Sequence, residues 1–184
     1  MQQTPSFKLI QRLERFPFRI RQETADWCIP ASIEAVTKYH KSDSTVTQGY
    51  LVTQFGDMSQ IGLGSMKERV LERDDKYSWA ALTYLRDTDF QLSFDKFLSS
   101  IQQYVDENKP PIISVPMGDR YWHMLTVVGY DSTHFLVYNP DPRAIHAYSP
   151  LSKSRLRIDL CLRKNARDTA IDSLILSPKE VTRA

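Results

Sequence analysis

Two consecutive prolines, Pro110 and Pro111, divide this chain into two kinds of sequence. Proline has no backbone N–H and clashes with the preceding turn, so a helix that reaches this point must end. The stretch before it, "SFDKFLSSIQQYVDENK" (93–109), spaces Phe94, Phe97, Leu98, Ile101, Tyr104 and Val105 as one apolar helical stripe, with Ser93 placed to cap it. The stretch after it changes period. "IISVPM" (112–117), "HMLTVVGYD" (123–131) and "HFLVYN" (134–139) are rich in β-branched and aromatic residues, and "YDST" between the last two is a hairpin turn signal. "RLRIDLCL" (155–162) alternates and is expected to be a further strand, with Cys161 inside it.

Upstream, "PASIEAVTKYHK" sets Ile33, Val36, Thr37 and His40 at helical spacing, and Pro30 suits the first turn, where its missing N–H costs nothing. "GSMKERVLERDDK" (64–76) reads as a short second helix starting at Gly64 or Ser65. Helices first and an antiparallel sheet afterwards give an α+β fold, not a βαβ alternation. With 184 residues, one domain over 1–184 is expected, able to bury about two-thirds of its unfolded surface. Residues 1–20 read as an N-terminal extension, and about 150–184 as C-terminal elements without an assigned role.

Composition excludes several function classes. A net charge of +2 with no basic stripe interleaved with aromatics gives no reason to expect nucleic acid. No segment approaches the roughly 18 apolar residues of a membrane span. There is no CxxC, no HExxH and no histidine pair at ligand spacing, so neither a metal nor another cofactor is expected. The charged N-terminus, "MQQTPSFKLIQRLERFPF", is unlike a Sec signal peptide, which makes the cytoplasm the default location; export by a dedicated secretion system leaves no such mark. Cys28 and Cys161 are the only cysteines, too few for a disulfide framework.

Cys28 then becomes the residue to explain. It stands at or just before the N-terminus of the helix that continues through residue 40, and unpaired N–H groups there stabilise a thiolate and lower the thiol pKa. A nucleophilic cysteine needs a base. His40 lies at the far end of the same helix, about 18 Å away at 1.5 Å per residue, and cannot serve. His134 and His146 lie in turn or loop contexts, whereas His123 opens an apolar strand after "DRYW". If 123–131 and 134–139 pair as a hairpin, Asn139 comes beside His123 and can orient its ring. Gln22, six residues before Cys28, can join the Cys28 N–H in an oxyanion hole. Taken alone, Cys28 also fits a small buried core residue.

"QETADWCIPAS", "PPIISVPMGDRYWHMLTVVGYD" and "FLVYNPDP" together resemble the papain-like cysteine peptidases, and more closely their bacterial C39-like branch. The match runs from residue 22 to about 142. The resemblance implies a papain-like fold, with a helical half carrying the nucleophile packed on an antiparallel sheet. It implies Cys28 as nucleophile, His123 as general base and acid, Asn139 as the orienting residue and Gln22 as oxyanion donor. Two positions depart from the pattern. Ile29 follows the cysteine where many relatives carry Gly or Trp, and Asp141-Pro142 repeats the Asn139-Pro140 signature, leaving Asp141 as the reserve third member. The implied activity is hydrolysis of peptide or isopeptide bonds through a thioester, with a peptide or protein as substrate. A glutamine deamidase, a transglutaminase-like acyltransferase and a non-catalytic peptide-binding domain use the same scaffold. The small size and the missing signal peptide suit a bacterial effector or a processing peptidase.

Overall fold

The computed structural model describes residues 6–56, 77–84, 90–117, 121–162 and 171–178. The helix expected over 64–76 lies outside them. In chain order the elements are strand β1 (Lys8–Leu9), a 3-10 turn (Leu13–Arg15), helices α1 (Cys28–His40) and α2 (Gln48–Phe55), strand β2 (Tyr77–Tyr84) and helix α3 (Phe90–Asp106). Strands β3 (Ile112–Met117), β4 (Tyr121–Tyr130), β5 (His134–Tyr138) and β6 (Tyr148–Ser152), helix α4 (Lys153–Leu162) and strand β7 (Ile171–Pro178) follow. The result is the expected mixture of helices and an antiparallel sheet.

All described pairings are antiparallel, in the order β2-β7-β3-β4-β5-β6, with β1 joining β4. The β4–β5 hairpin forms because Asp131 closes its turn: one carboxylate oxygen accepts the backbone N–H groups of Thr133 (2.7 Å) and His134 (2.6 Å). β7 enters between β2 and β3, so the C-terminal segment is an inner strand of the sheet. β1 lies so close to β4 that a Cβ on Gly129 would stand 2.9 Å from the Lys8 carbonyl oxygen.

The apolar stripe of α3 performs as its spacing predicts: Phe94, Phe97, Ile101 and Val105 are buried. They share a core with Ile33 and Val36 of α1 and with Val127, Val128, Phe135 and Val137 of the hairpin. Both α1 and α3 rest against β4, which carries the proposed base. No described helix is long and apolar enough to cross a membrane.

Two local expectations are corrected. The helix expected from Ser93 starts at Phe90, so Ser93 lies within its first turn and does not cap it. Phe90 stands four positions before Phe94 and extends the helical spacing back by one turn. "RLRIDLCL" is not a strand but most of helix α4, and Cys161 therefore lies on a helix. The alternation misleads because Ile158 is 52% exposed, while Leu156 and Leu160, one helical turn apart, are buried. The Ser152 hydroxyl caps that helix by accepting the Arg155 N–H at 3.3 Å, and Arg155 pairs with Asp159 at i,i+4.

Candidate active site

Three elements converge on one end of β4. Cys28 is the first residue of α1, after Trp27 at the cap position. The sequence starts a helix here because Ile29, Ile33 and Val36 share a buried face and Pro30 occupies the first turn without forfeiting a hydrogen bond. The Cys28 thiol lies within reach of the backbone N–H of Met124, the residue after His123, and of the N–H groups of Ile29 and Cys28 itself. Cys28 on the helix and the strand backbone next to His123 are therefore neighbours.

His123 Nε2 lies 2.8 Å from Asn139 Oδ1. The same oxygen accepts the backbone N–H of Asp141 at 2.9 Å. A backbone N–H can only donate, so the Asn139 atom it meets is the carbonyl oxygen. His123 Nε2 must then carry its proton, which leaves the Nδ1 lone pair as the basic position of the neutral ring. Strand register alone would pair His123 differently. Thr126 pairs with Tyr138, and three residues further the same register sets His123 opposite residue 141. The ladder stops first, because the Asn139 N–H turns away to Ala147 O (3.0 Å) and Pro140 has no N–H to offer.

Asp141 is held elsewhere. Its carboxylate takes the Arg143 guanidinium in a fork (Nε–Oδ1 3.0 Å, Nη2–Oδ2 2.8 Å) and also the Arg143 backbone N–H (2.8 Å). The Arg143 hydrogen bonds hold the Asp141 carboxyl below its ordinary pKa, with the charge of His123 a smaller contribution. Asn139, not Asp141, holds the His123 ring by a hydrogen bond.

Gln22 is buried, 6% exposed, six residues upstream of Cys28. Its backbone N–H donates to Pro140 O at 2.9 Å, and its side-chain Nε2 donates to Ala25 O at 2.8 Å. Its Oε1 is buried without a hydrogen-bond partner among the described residues. Such an atom is a stability cost and a common sign of a functional site.

The expected lowering of the Cys28 pKa is reversed. Burial pushes the thiol above its ordinary value, with the nearby Asp26 charge adding slightly; the N–H groups of Met124, Ile29 and Cys28 oppose this and are outweighed. Desolvation disfavours a charge more than three partial dipoles recover.

Three residues that sequence reading passed over hold this arrangement. Arg21 donates from Nη1 to Asn139 O (2.7 Å) and Asp141 O (3.3 Å). Gln48, at the start of α2, accepts the Glu23 N–H and donates to Arg21 O. Glu34, buried on α1, accepts from Gln48. Only their spacing to distant loops gives them this role, and no motif marks it. Glu34 with Lys38 at i,i+4 reads in sequence as an ordinary surface pair.

Among the described residues no group of three His, Cys, Asp or Glu side chains could hold a metal ion. The sequence profile of the Peptidase_C39 like family matches residues 14–156. This chain belongs to that family. The match contains Gln22, Cys28, His123 and Asn139 and ends before α4 is complete and before β7. Among solved structures, the chain is similar to the peptidase domain of Streptococcus ComA, a bi-functional ABC transporter involved in a quorum-sensing pathway. That likeness has a TM-score of 0.56 at 17% identity and covers 87% of this chain and 97% of the other. Comparison with curated proteins yields no match. Membership in the Peptidase_C39 like family, with the shared fold, points to cysteine peptidase chemistry.

Proposed function

We propose that the protein is a cysteine peptidase that hydrolyses peptide or isopeptide bonds by acyl transfer, with Cys28, His123 and Asn139 as its catalytic triad in a papain-like arrangement. The 2.8 Å contact from His123 Nε2 to Asn139 Oδ1 carries this reading, because it aims the basic nitrogen away from Asn139 on a residue whose neighbour, Met124, touches the thiol. Nδ1 removes the Cys28 proton as the sulfur attacks the substrate carbonyl carbon. The tetrahedral oxyanion accepts from the Cys28 N–H and from Gln22 Nε2. Collapse breaks the C–N bond, and the imidazolium returns its proton to the leaving amine. Water, activated by the same Nδ1, then attacks the thioester and frees the carboxylic acid and the thiol.

The raised thiol pKa changes one part of the expected mechanism. A thiol held above its ordinary pKa by burial keeps its proton until attack, so His123 acts as a base during attack, as in the serine enzymes. Incubation with a mixed peptide library, followed by mass spectrometry, tests the reading. New termini that require both Cys28 and His123 support it. A shift of about one mass unit on glutamine identifies a deamidase, a new cross-link an acyltransferase, and binding without any product a peptide-binding domain.

A further inference from the structure

Gln48 lies outside the proposed triad, yet its side-chain amide makes three hydrogen bonds at one place. Its Oε1 accepts the Glu23 backbone N–H at 3.0 Å, and its Nε2 donates to Arg21 O at 2.8 Å. One side chain therefore grips the backbone on both sides of Gln22. Behind it, Glu34 Oε2 accepts from Gln48 Nε2 (3.3 Å) and from the Gln48 backbone N–H (3.2 Å). Gln48 is 2% exposed and Glu34 7% exposed, so water does not compete for these bonds. Lys38 neutralises the other Glu34 oxygen, which lets a carboxylate stay buried here.

The opposite side of the same short segment is tied to the histidine's partner loop. Arg21 Nη1 reaches Asn139 O and Asp141 O, and the Gln22 N–H reaches Pro140 O. Residues 21–23 are thus the seam between the helical part, which carries Cys28, and the sheet part, which carries His123 and Asn139. Glu34 is six residues after Cys28 on α1, so the anchor of this seam shares a rigid element with the nucleophile.

We infer that Gln48, backed by Glu34, is a positioning residue that fixes the backbone of Arg21–Glu23 and thereby sets the Gln22 amide relative to Cys28. The role of the seam in catalysis rests on the peptidase reading above; its mechanical role does not. A side chain that satisfies an N–H and a C=O two residues apart replaces the strand pairing this segment lacks. Loss of either bond frees the segment to shift, and misplacement by about 1 Å is enough to cost roughly a hundredfold in an acyl-transfer step.

The variants Gln48→Met and Gln48→Glu separate the possibilities. The first keeps the volume and loses both grips; the second keeps the acceptor for the Glu23 N–H. Hydrogen exchange reads the clamp without reference to activity. In Gln48→Met the amides of Gln22 and Glu23 should exchange at least tenfold faster, while α1 amides stay as protected as in the wild type. Unchanged exchange at both amides overturns the clamp. Should Gln48→Met not fold, Gln48→Glu decides the same point, with Glu23 protected and Gln22 faster.

Acylation by p-nitrophenyl acetate reads the catalytic part. The Cys28 sulfur attacks the acetyl carbon, His123 takes the thiol proton and p-nitrophenolate leaves, so the burst over a Cys28→Ala background measures oxyanion stabilisation. Gln48→Met should lower the acylation rate by roughly ten- to a hundredfold with little change in ester KM. Its rate of alkylation by iodoacetamide, which forms no oxyanion, should stay within about twofold. A wild-type burst that Gln48→Met leaves intact overturns the catalytic part of the inference. A wild type with no Cys28-dependent burst overturns the peptidase reading, and the exchange data still decide the clamp.

Discussion

Asn139 Oδ1 binds two donors at once, the His123 ring at 2.8 Å and the Asp141 backbone N–H at 2.9 Å. The second bond fixes the side-chain amide in its own loop, so the first fixes the imidazole. Asn139→Ala is expected to lower turnover by roughly ten- to a hundredfold through misorientation of His123. Asp141→Asn is expected to stay within about threefold, because that carboxylate serves Arg143. Steady-state rates of both variants on one cleavable peptide check the assignment; the opposite ranking would make Asp141 the third member.

Burial holds the Cys28 thiol protonated above its ordinary pKa. The raised pKa means that the reactive thiolate is scarce at neutral pH and grows as pH rises towards the folded value. Alkylation of Cys28 by iodoacetamide should therefore climb about tenfold per pH unit from 7 to 9 without a plateau, with Cys161 followed separately by peptide mass. A plateau reached below pH 6 would instead mean a thiolate–imidazolium pair in the free protein.

Gln22 combines a buried, unpartnered Oε1 with one hydrogen bond to Ala25 O. Replacing it by leucine removes a cost of about 1–3 kcal/mol for the unpaired oxygen and loses a bond of about 1 kcal/mol. Gln22→Leu should accordingly melt close to the wild type while peptide turnover falls by about two to three orders of magnitude. Turnover equal to wild type in a folded Gln22→Leu protein removes Gln22 from the oxyanion hole.

Gly129 meets β1 at close range: an added Cβ would lie 2.9 Å from Lys8 O and 2.7 Å from the Leu9 side chain. The leucine can swing aside, but the carbonyl belongs to the paired strand. Gly129→Ala should destabilise the fold by about 1–3 kcal/mol, read from the denaturant midpoint. Exchange should quicken at Ile10, whose N–H donates to Val128 O.

Ending the chain at residue 170 removes β7 and leaves β2 and β3 each without a partner along one edge. The exposed ladder groups favour aggregation. Expression of residues 1–170 is expected to give insoluble protein or a broad thermal transition. A sharp, unchanged transition would show that the sheet closes without β7.

The residues proposed to carry the chemistry each have a local signature. Cys28 opens an amphipathic helix, His123 lies two residues inside the start of β4 rather than at its first position, and Asn139 follows the last residue of β5, before Pro140. These positions follow from periods of 3.6 and 2 and from proline's missing N–H, which are properties of short stretches. The α3 stripe and the β3 and β5 strands were readable for the same reason. Where local signals competed, reading failed: Leu156, Ile158 and Leu160 alternate like a strand, and burial chose the i,i+4 pair Leu156 and Leu160 instead.

The sequence by itself determined an α+β chain with a cysteine, a histidine and an asparagine at matching ends of their elements. Tertiary structure decided the rest, because each remaining feature depends on groups far apart in sequence. The contact of His123 with Asn139 and not with Asp141 came from where the β4–β5 ladder stops, and the raised pKa of Cys28 from its burial. The place of β7 inside the sheet required β2 and β3 as its partners, nearly 100 and about 60 residues away by the chain's own numbering. The grip of Gln48 on residues 21 and 23 arises only when α2 packs on α1. Short-range periodicity writes elements into a sequence; burial and hydrogen-bond pairing between distant segments exist only once the chain has closed on itself.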